Sequence, residues 1–96
     1  MSDFELRGAG NGQFALSGAM SFETADRILR ASKGSFGDHD DVEVDFSGVT
    51  DADSAGLALL IEWKSWTAQG STQIRFKGLP RSIKAIARTT DVEHLL

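Results

Sequence analysis

Within one short stretch this chain changes its hydrophobic period from that of a strand to that of a helix, and the change restricts the folds open to it. Val42, Glu43, Val44, Asp45 and Phe46 alternate apolar and acidic residues, the pattern of a half-buried strand. From Leu57 to about Gln69 apolar, helix-permitting residues dominate. A short loop containing Asp51-Ala52-Asp53-Ser54-Ala55-Gly56 joins the two. Ser54 is thereby set at a helix N-terminus, where free backbone N–H groups and the positive end of the helix dipole attract oxygen and phosphate.

The rest of the chain repeats this alternation of periods. Phe4 and Leu6 alternate with Glu5 and Arg7, and Phe14 and Leu16 with Gln13, Ala15 and Ser17, so two strands flank a hairpin turn at Gly8-Ala9-Gly10-Asn11-Gly12. That glycine run is not a phosphate loop, because no Lys-Ser or Lys-Thr follows it and a strand comes next. Ser21 is placed to cap a helix with Ala25, Ile28, Leu29 and Ser32 on one face; Glu23 and Asp26 early and Arg30 and Lys33 late match the dipole. Gly34 to Asp41 reads as a loop, and Gly70 ends the helix that follows Ser54. Gln73 to Lys77 is a further strand, and a last helix from near Pro80 buries Leu79, Ile83, Ile86 and Ala87. Val92, Leu95 and Leu96 close the core or frame a contact.

The expected order is β-β-α-β-α-β-α, an α/β fold in two layers. The first two strands form an antiparallel hairpin, and strands separated by helices pair in parallel, which makes a mixed four-stranded sheet. Alternation in every strand leaves one face polar, so the helices lie mainly on the other.

With 96 residues the chain is read as one domain over 1–96, with a single core. It has no cysteine, and its two histidines, His39 and His94, lack metal-ligand spacing, so neither a metal nor a cofactor is expected. A net charge of −4 argues against nucleic-acid binding. Arg75, Lys77, Arg81, Lys84 and Arg88 form a solvated face or a docking patch for an acidic partner. No apolar run approaches bilayer-spanning length and the first residues carry no signal-type segment, which points to a cytoplasmic protein without direct membrane insertion.

The helix after Ser54 carries two apolar stripes. Leu57, Leu60, Ile61 and Ala68 form one, and Leu59, Trp63 and Trp66 form the other on roughly the opposite side. One stripe covers the sheet; the second is either covered by a neighbouring element or presented to a partner. Lys64 lies within the first stripe, its stem along apolar surface and its ammonium reaching water. Ser54 itself reads as the helix N-cap, worth about 1 kcal/mol, or as a regulatory or docking hydroxyl. As a nucleophile it lacks a base nearby in sequence, and G-x-S-x-G is absent. Enzyme chemistry is not expected.

Three segments resemble the STAS domain, the family of anti-sigma-factor antagonists, sulfate-transporter tails and MlaB-type subunits of bacterial phospholipid-transport ABC systems. They are Val44-Asp45-Phe46-Ser47-Gly48-Val49, Asp53-Ser54-Ala55-Gly56-Leu57-Ala58-Leu59-Leu60, and Gly70 with Ile74-Arg75-Phe76-Lys77-Gly78-Leu79. The resemblance implies that Ser54 is the regulatory or partner-contacting hydroxyl; the next position, a second hydroxyl in some antagonists, is Ala55 here. Antagonists resemble Gly-Glu-Leu-Asp after the second strand, whereas this chain has Gly18-Ala19-Met20-Ser21, which turns the resemblance toward the MlaB type. It implies a STAS-like two-layer fold and a non-catalytic subunit bound to the ATPase of an ABC transporter, and through it to the permease at the inner membrane. The partner surface expected from the resemblance is Asp53, Ser54, Ala55, Gly56 and Leu57; Trp63 and Trp66 are added to it as the second stripe. The alternative is an anti-sigma-factor antagonist, with an anti-sigma factor kinase as partner and Ser54 as phosphosite.

Overall fold

The computed structural model describes residues 3–70 and 72–96, with the side chains of Ala68 and Leu95 outside the described residues. Strands β1 (Phe4–Gly10) and β2 (Gln13–Met20) pair antiparallel, Leu6 opposite Leu16 and Gly10 opposite Gln13. The turn is tighter than the glycine run suggests, since only Asn11 and Gly12 lie between the strands, at φ of 55° and 78°. Two successive residues with positive φ follow the right-handed twist of the flanking strands, and Asn-Gly adopts that pair readily.

Next come α1 (Ala25–Phe36), β3 (Asp41–Ala52), α2 (Ser54–Gln69), β4 (Gln73–Lys77) and α3 (Arg81–Thr89), then a 3₁₀ turn over Glu93–Leu95. The sheet order is β1-β2-β3-β4, with β2, β3 and β4 parallel. Because each parallel strand lies beside its predecessor, right-handed crossovers stack the helices on one face. The short dimension of the molecule, 20 Å, fits one sheet and one helical layer. Phe14, Leu16, Met20, Val42, Val44, Phe46 and Ile74 are buried beneath the helices. Residues of the opposite parity, among them Arg7, Gln13, Glu43, Arg75 and Lys77, turn to the helix-free side.

Three boundaries differ from the sequence expectation. Helix α1 continues past Gly34 to Phe36, whose ring is 1% exposed and lies 4.9 Å from Phe14 and 5.4 Å from Trp63. Burying that ring outweighs the roughly 1 kcal/mol that a helical glycine costs. Strand β3 runs six residues beyond Phe46, to Ala52, through two register shifts against β2. Such irregularities change the parity of the strand, so its alternation stops while its pairing continues. Ser21 does not cap α1: the N-cap position is Thr24, and the carbonyl of Ser21 accepts the N–H groups of Thr24 and Ala25.

The core centres on α2, which is buried on both sides. Leu57 and Leu60 of the first stripe are 6% and 0% exposed, and Leu59 and Trp63 of the second are 4% and 0% exposed. The Trp63 ring lies 6.1 Å from Phe46 and 6.2 Å from Phe76, and its Nε1–H donates to Ser32 Oγ at 2.9 Å. Ser32 in turn donates to the Leu29 carbonyl at 2.7 Å. Lys64 differs from expectation: its ammonium turns to the sheet, donating to the Ile74 carbonyl at 2.8 Å and standing 4.8 Å from the Phe76 ring centre. Val92 and Leu96 pack on the core as expected; the parts assigned to Ala68 and Leu95 fall outside the described residues.

Candidate functional site

In an open parallel sheet, ligands and partners are met at the carboxyl ends of the strands, where helix N-termini converge. Here β2 and β3 end side by side, Met20 opposite Ala52, and the turns into α1 and α2 form one corner. Only Asp53 separates β3 from α2. Its backbone is extended, with φ −135° and ψ −167°, and its Oδ1 accepts the Ala55 N–H at 2.8 Å. Asp53 is therefore the N-cap, and the assignment of that role to Ser54 is corrected. The strand runs one pleat further than its apolar alternation, which moves the cap back by one residue.

The second oxygen of Asp53 reaches the other turn. Oδ2 accepts the backbone N–H of Phe22 at 3.2 Å, so a single carboxylate ties the start of α2 to the turn before α1. That turn is also braced from within. Thr24 Oγ1 accepts the Ser21 N–H and donates to the Ala19 carbonyl, both at 2.9 Å, with Thr24 1% exposed. Ser21 Oγ donates to Glu23 at 3.0 Å. The outcome is that Phe22 is held outward, 83% exposed. It breaks no periodic stripe; an apolar residue set between Ser21 and Glu23 in a capping segment is the signal that marks it.

The expected partner residues divide in two. Ser54 is the first residue of α2 and is exposed, with Asp53 and Ala55 half-buried beside it. Gly56 and Leu57 face inward. A side chain at Gly56 would meet the Met20 carbonyl at 2.8 Å and Ile83 at 3.2 Å, so this glycine seats the first turn of α2 against β2 and α3. Trp63, expected in a partner-facing stripe, is 0% exposed and belongs to the core, because α1 and the sheet cover that side of α2. Trp66 is half-buried, its ring 6.5 Å from Phe36 near the far end of the helices. His39 precedes β3 and so lies at the amino ends of the parallel strands, away from Ser54.

The shifted ionisable groups lie elsewhere. The backbone N–H of Ser47, 2.9 Å from Asp45, and then its hydroxyl hold the Asp45 carboxyl below its ordinary value. Burial, and secondarily Arg75, lowers the pKa of Lys64.

A family model described as "Mlab, STAS domain" matches residues 5–96. The chain belongs to the MlaB-type STAS family. No curated protein matches this STAS domain in sequence. Among solved structures it is similar to the anti-sigma factor antagonist SpoIIAA in its unphosphorylated form, with TM-score 0.67, 11% identity, and coverage of 88% of this chain and 81% of that one. It is also similar to part of SLC26A9, with TM-score 0.71 and 12% identity over 88% of this chain and 17% of that one. At such identities the likeness concerns the fold. The STAS domain thus presents the exposed hydroxyl of Ser54 and the exposed ring of Phe22 on a corner tied together by Asp53 and Thr24.

Proposed function

We propose that this STAS domain is a non-catalytic accessory subunit of a phospholipid-transport ABC system, docking on the cytoplasmic ATPase and supporting its assembly and activity. The observation that carries this reading is the corner itself: Ser54 and Phe22 stand exposed on backbone fixed by the Asp53 carboxylate. Groups held in one arrangement before contact lose little freedom on binding, which suits a docking surface. The reading also draws on the MlaB-type family match. Its mechanism is differential binding, in which the domain favours the ATPase conformation that fits the corner. Among the described residues no helix is long and apolar enough to cross a membrane. In this reading the protein is cytoplasmic, reaches the inner membrane through the ATPase, and touches the permease only through it.

Co-purification with the ATPase and permease subunits tests the proposal. Wild-type protein is expected to travel with them and Ser54→Asp to be lost while still folded; failure of the wild type to co-purify rejects the role.

A second reading is that of an anti-sigma-factor antagonist switched by phosphorylation of Ser54, favoured by the exposure of that hydroxyl and by the shape shared with SpoIIAA. A phosphate there adds nearly two negative charges beside Asp51 and Asp53, a repulsion set against the favourable helix dipole. Incubation with an anti-sigma factor kinase and ATP would then add one phosphate by intact mass to the wild type and none to Ser54→Ala. An unmodified wild type rejects this reading.

A further inference from the structure

Phe22 does not stand alone. It closes one end of a groove of about 420 Å³ between α1 and α2. On the α2 side Ala55, Ala58, Leu59 and Glu62 line it at i, i+3, i+4 and i+7, a stripe about 10 Å long. Ala25 and Leu29 line the α1 side. Beyond Leu29 and Glu62 the two helices are joined by the Trp63 N–H, which donates to Ser32 Oγ at 2.9 Å.

We propose that this groove receives a helix of the ATPase partner, whose apolar face packs on Phe22, Leu29 and Ala58 and whose flanking Lys or Arg side chains meet Asp26 and Glu62. The inference rests on the docking reading above and names the element that is docked. A helix fits because the walls are two helices and no strand residue lines the groove; a two-turn amphipathic helix presents anchors at this spacing. Charge selects its flanks. Asp26 and Glu62 are the charged residues lining the groove, and no base lines it. Arg30 does reach Asp26 at 2.7 Å, but both partners are largely exposed, and such a pair is weak enough to exchange for an incoming cation. Arg27 is turned away, toward Asp3 and the Phe4 ring. Glu23 and Asp53 add negative charge at the Phe22 end. A basic helix is favoured over an acidic peptide or an anionic lipid surface.

The test measures affinity of the full chain for the purified ATPase by calorimetry, with thermal melts confirming that each variant is folded. Phe22→Ser and Ala58→Arg are expected to weaken binding tenfold or more, as for a central anchor and a blocked groove. Glu62→Lys is expected to weaken it and to flatten its dependence on salt. Arg75→Ala, on the helix-free face of the sheet, is expected to bind as wild type. Hydrogen exchange on the ATPase should show protection of a helical segment bearing Lys or Arg. Wild-type affinity in both Phe22→Ser and Ala58→Arg overturns the groove and leaves the docking reading standing. No binding by the wild type overturns both. Self-association of the free chain that Phe22→Ser abolishes would give the groove to a second copy and also overturn the proposal.

Discussion

The aromatic section and the N-terminal end of the seam between α1 and α2 are built from the same pair of helices and behave in opposite ways. In the aromatic section Phe36, Trp63 and Trp66 pack together, with ring centres 5.4 to 6.5 Å apart and the Trp63 N–H donating to Ser32; beyond them, between Lys33, Gly37, Gln69 and Gly70, a second groove of about 390 Å³ opens. Toward the N-terminal ends, Ala25, Ala55 and Ala58 are too short to meet across the seam, and the large apolar residue, Phe22, faces solvent. Large side chains packed on one another hold the domain together; small ones leave the seam open and the remaining ring in solvent, its burial, worth about 1.5–3 kcal/mol, unrealised. The buried aromatic residues and the exposed Phe22 therefore stand in different settings, and substitutions can separate them.

The largest contrast is between Trp63→Ala and Phe22→Ser. Removing a fully buried indole is expected to cost about 3–5 kcal/mol through lost burial and the cavity left behind. Phe22→Ser is expected to change stability by no more than about 0.5 kcal/mol, since its ring is 83% exposed. Denaturant melts followed by far-ultraviolet circular dichroism read both. A large loss of stability in Phe22→Ser would break the comparison by showing that the ring supports the fold.

The aromatic section holds a polar contact whose loss is the next effect in size. Ser32→Ala leaves the Trp63 N–H buried without an acceptor, at an expected cost of about 1–3 kcal/mol. The same substitution in a Trp63→Phe background should cost much less, because no donor is left unpaired, and a double-mutant cycle isolates that difference. Equal costs in the two backgrounds would mean that Ser32 acts through packing alone.

The order and pairing of the elements were legible because the apolar alternation of Phe14-Leu16, Val42-Val44-Phe46 and Ile74-Phe76 survives in the strands, and because Ile83 and Ala87 keep their helical spacing. Fates decided by tertiary contact were not legible. Nothing in the spacing of Leu59, Trp63 and Trp66 distinguishes a partner from α1, since either covers the same arc of α2. Gly34 reads as a helix end unless the burial of Phe36, two residues later, is known. The irregular pairing of β3 hides the last six residues of the strand, and with them the residue that caps α2. Of the candidate corner, the motif and its exposed hydroxyl were legible; Phe22 and Thr24 were not, because they act through a turn with no periodicity.

At the open end the expected effects are smaller and differ between neighbours. Asp53→Ala removes the cap of α2 and the acceptor of the Phe22 N–H together, and is expected to cost about 1–2 kcal/mol. Ser54→Ala is expected to change stability by less than about 0.5 kcal/mol, because Asp53 already satisfies the first turn and the serine side chain is exposed. Amide hydrogen exchange sharpens the pair. Asp53→Ala should speed exchange at Phe22 and Ala55, whose N–H groups lose their acceptor, while Ser54→Ala leaves both protected. A loss near 1 kcal/mol in Ser54→Ala would return the cap to the serine. A silent Ser54→Ala in melts, combined with loss of the ATPase from Ser54→Asp, would mean that the hydroxyl position serves recognition while the aspartate beside it serves the fold.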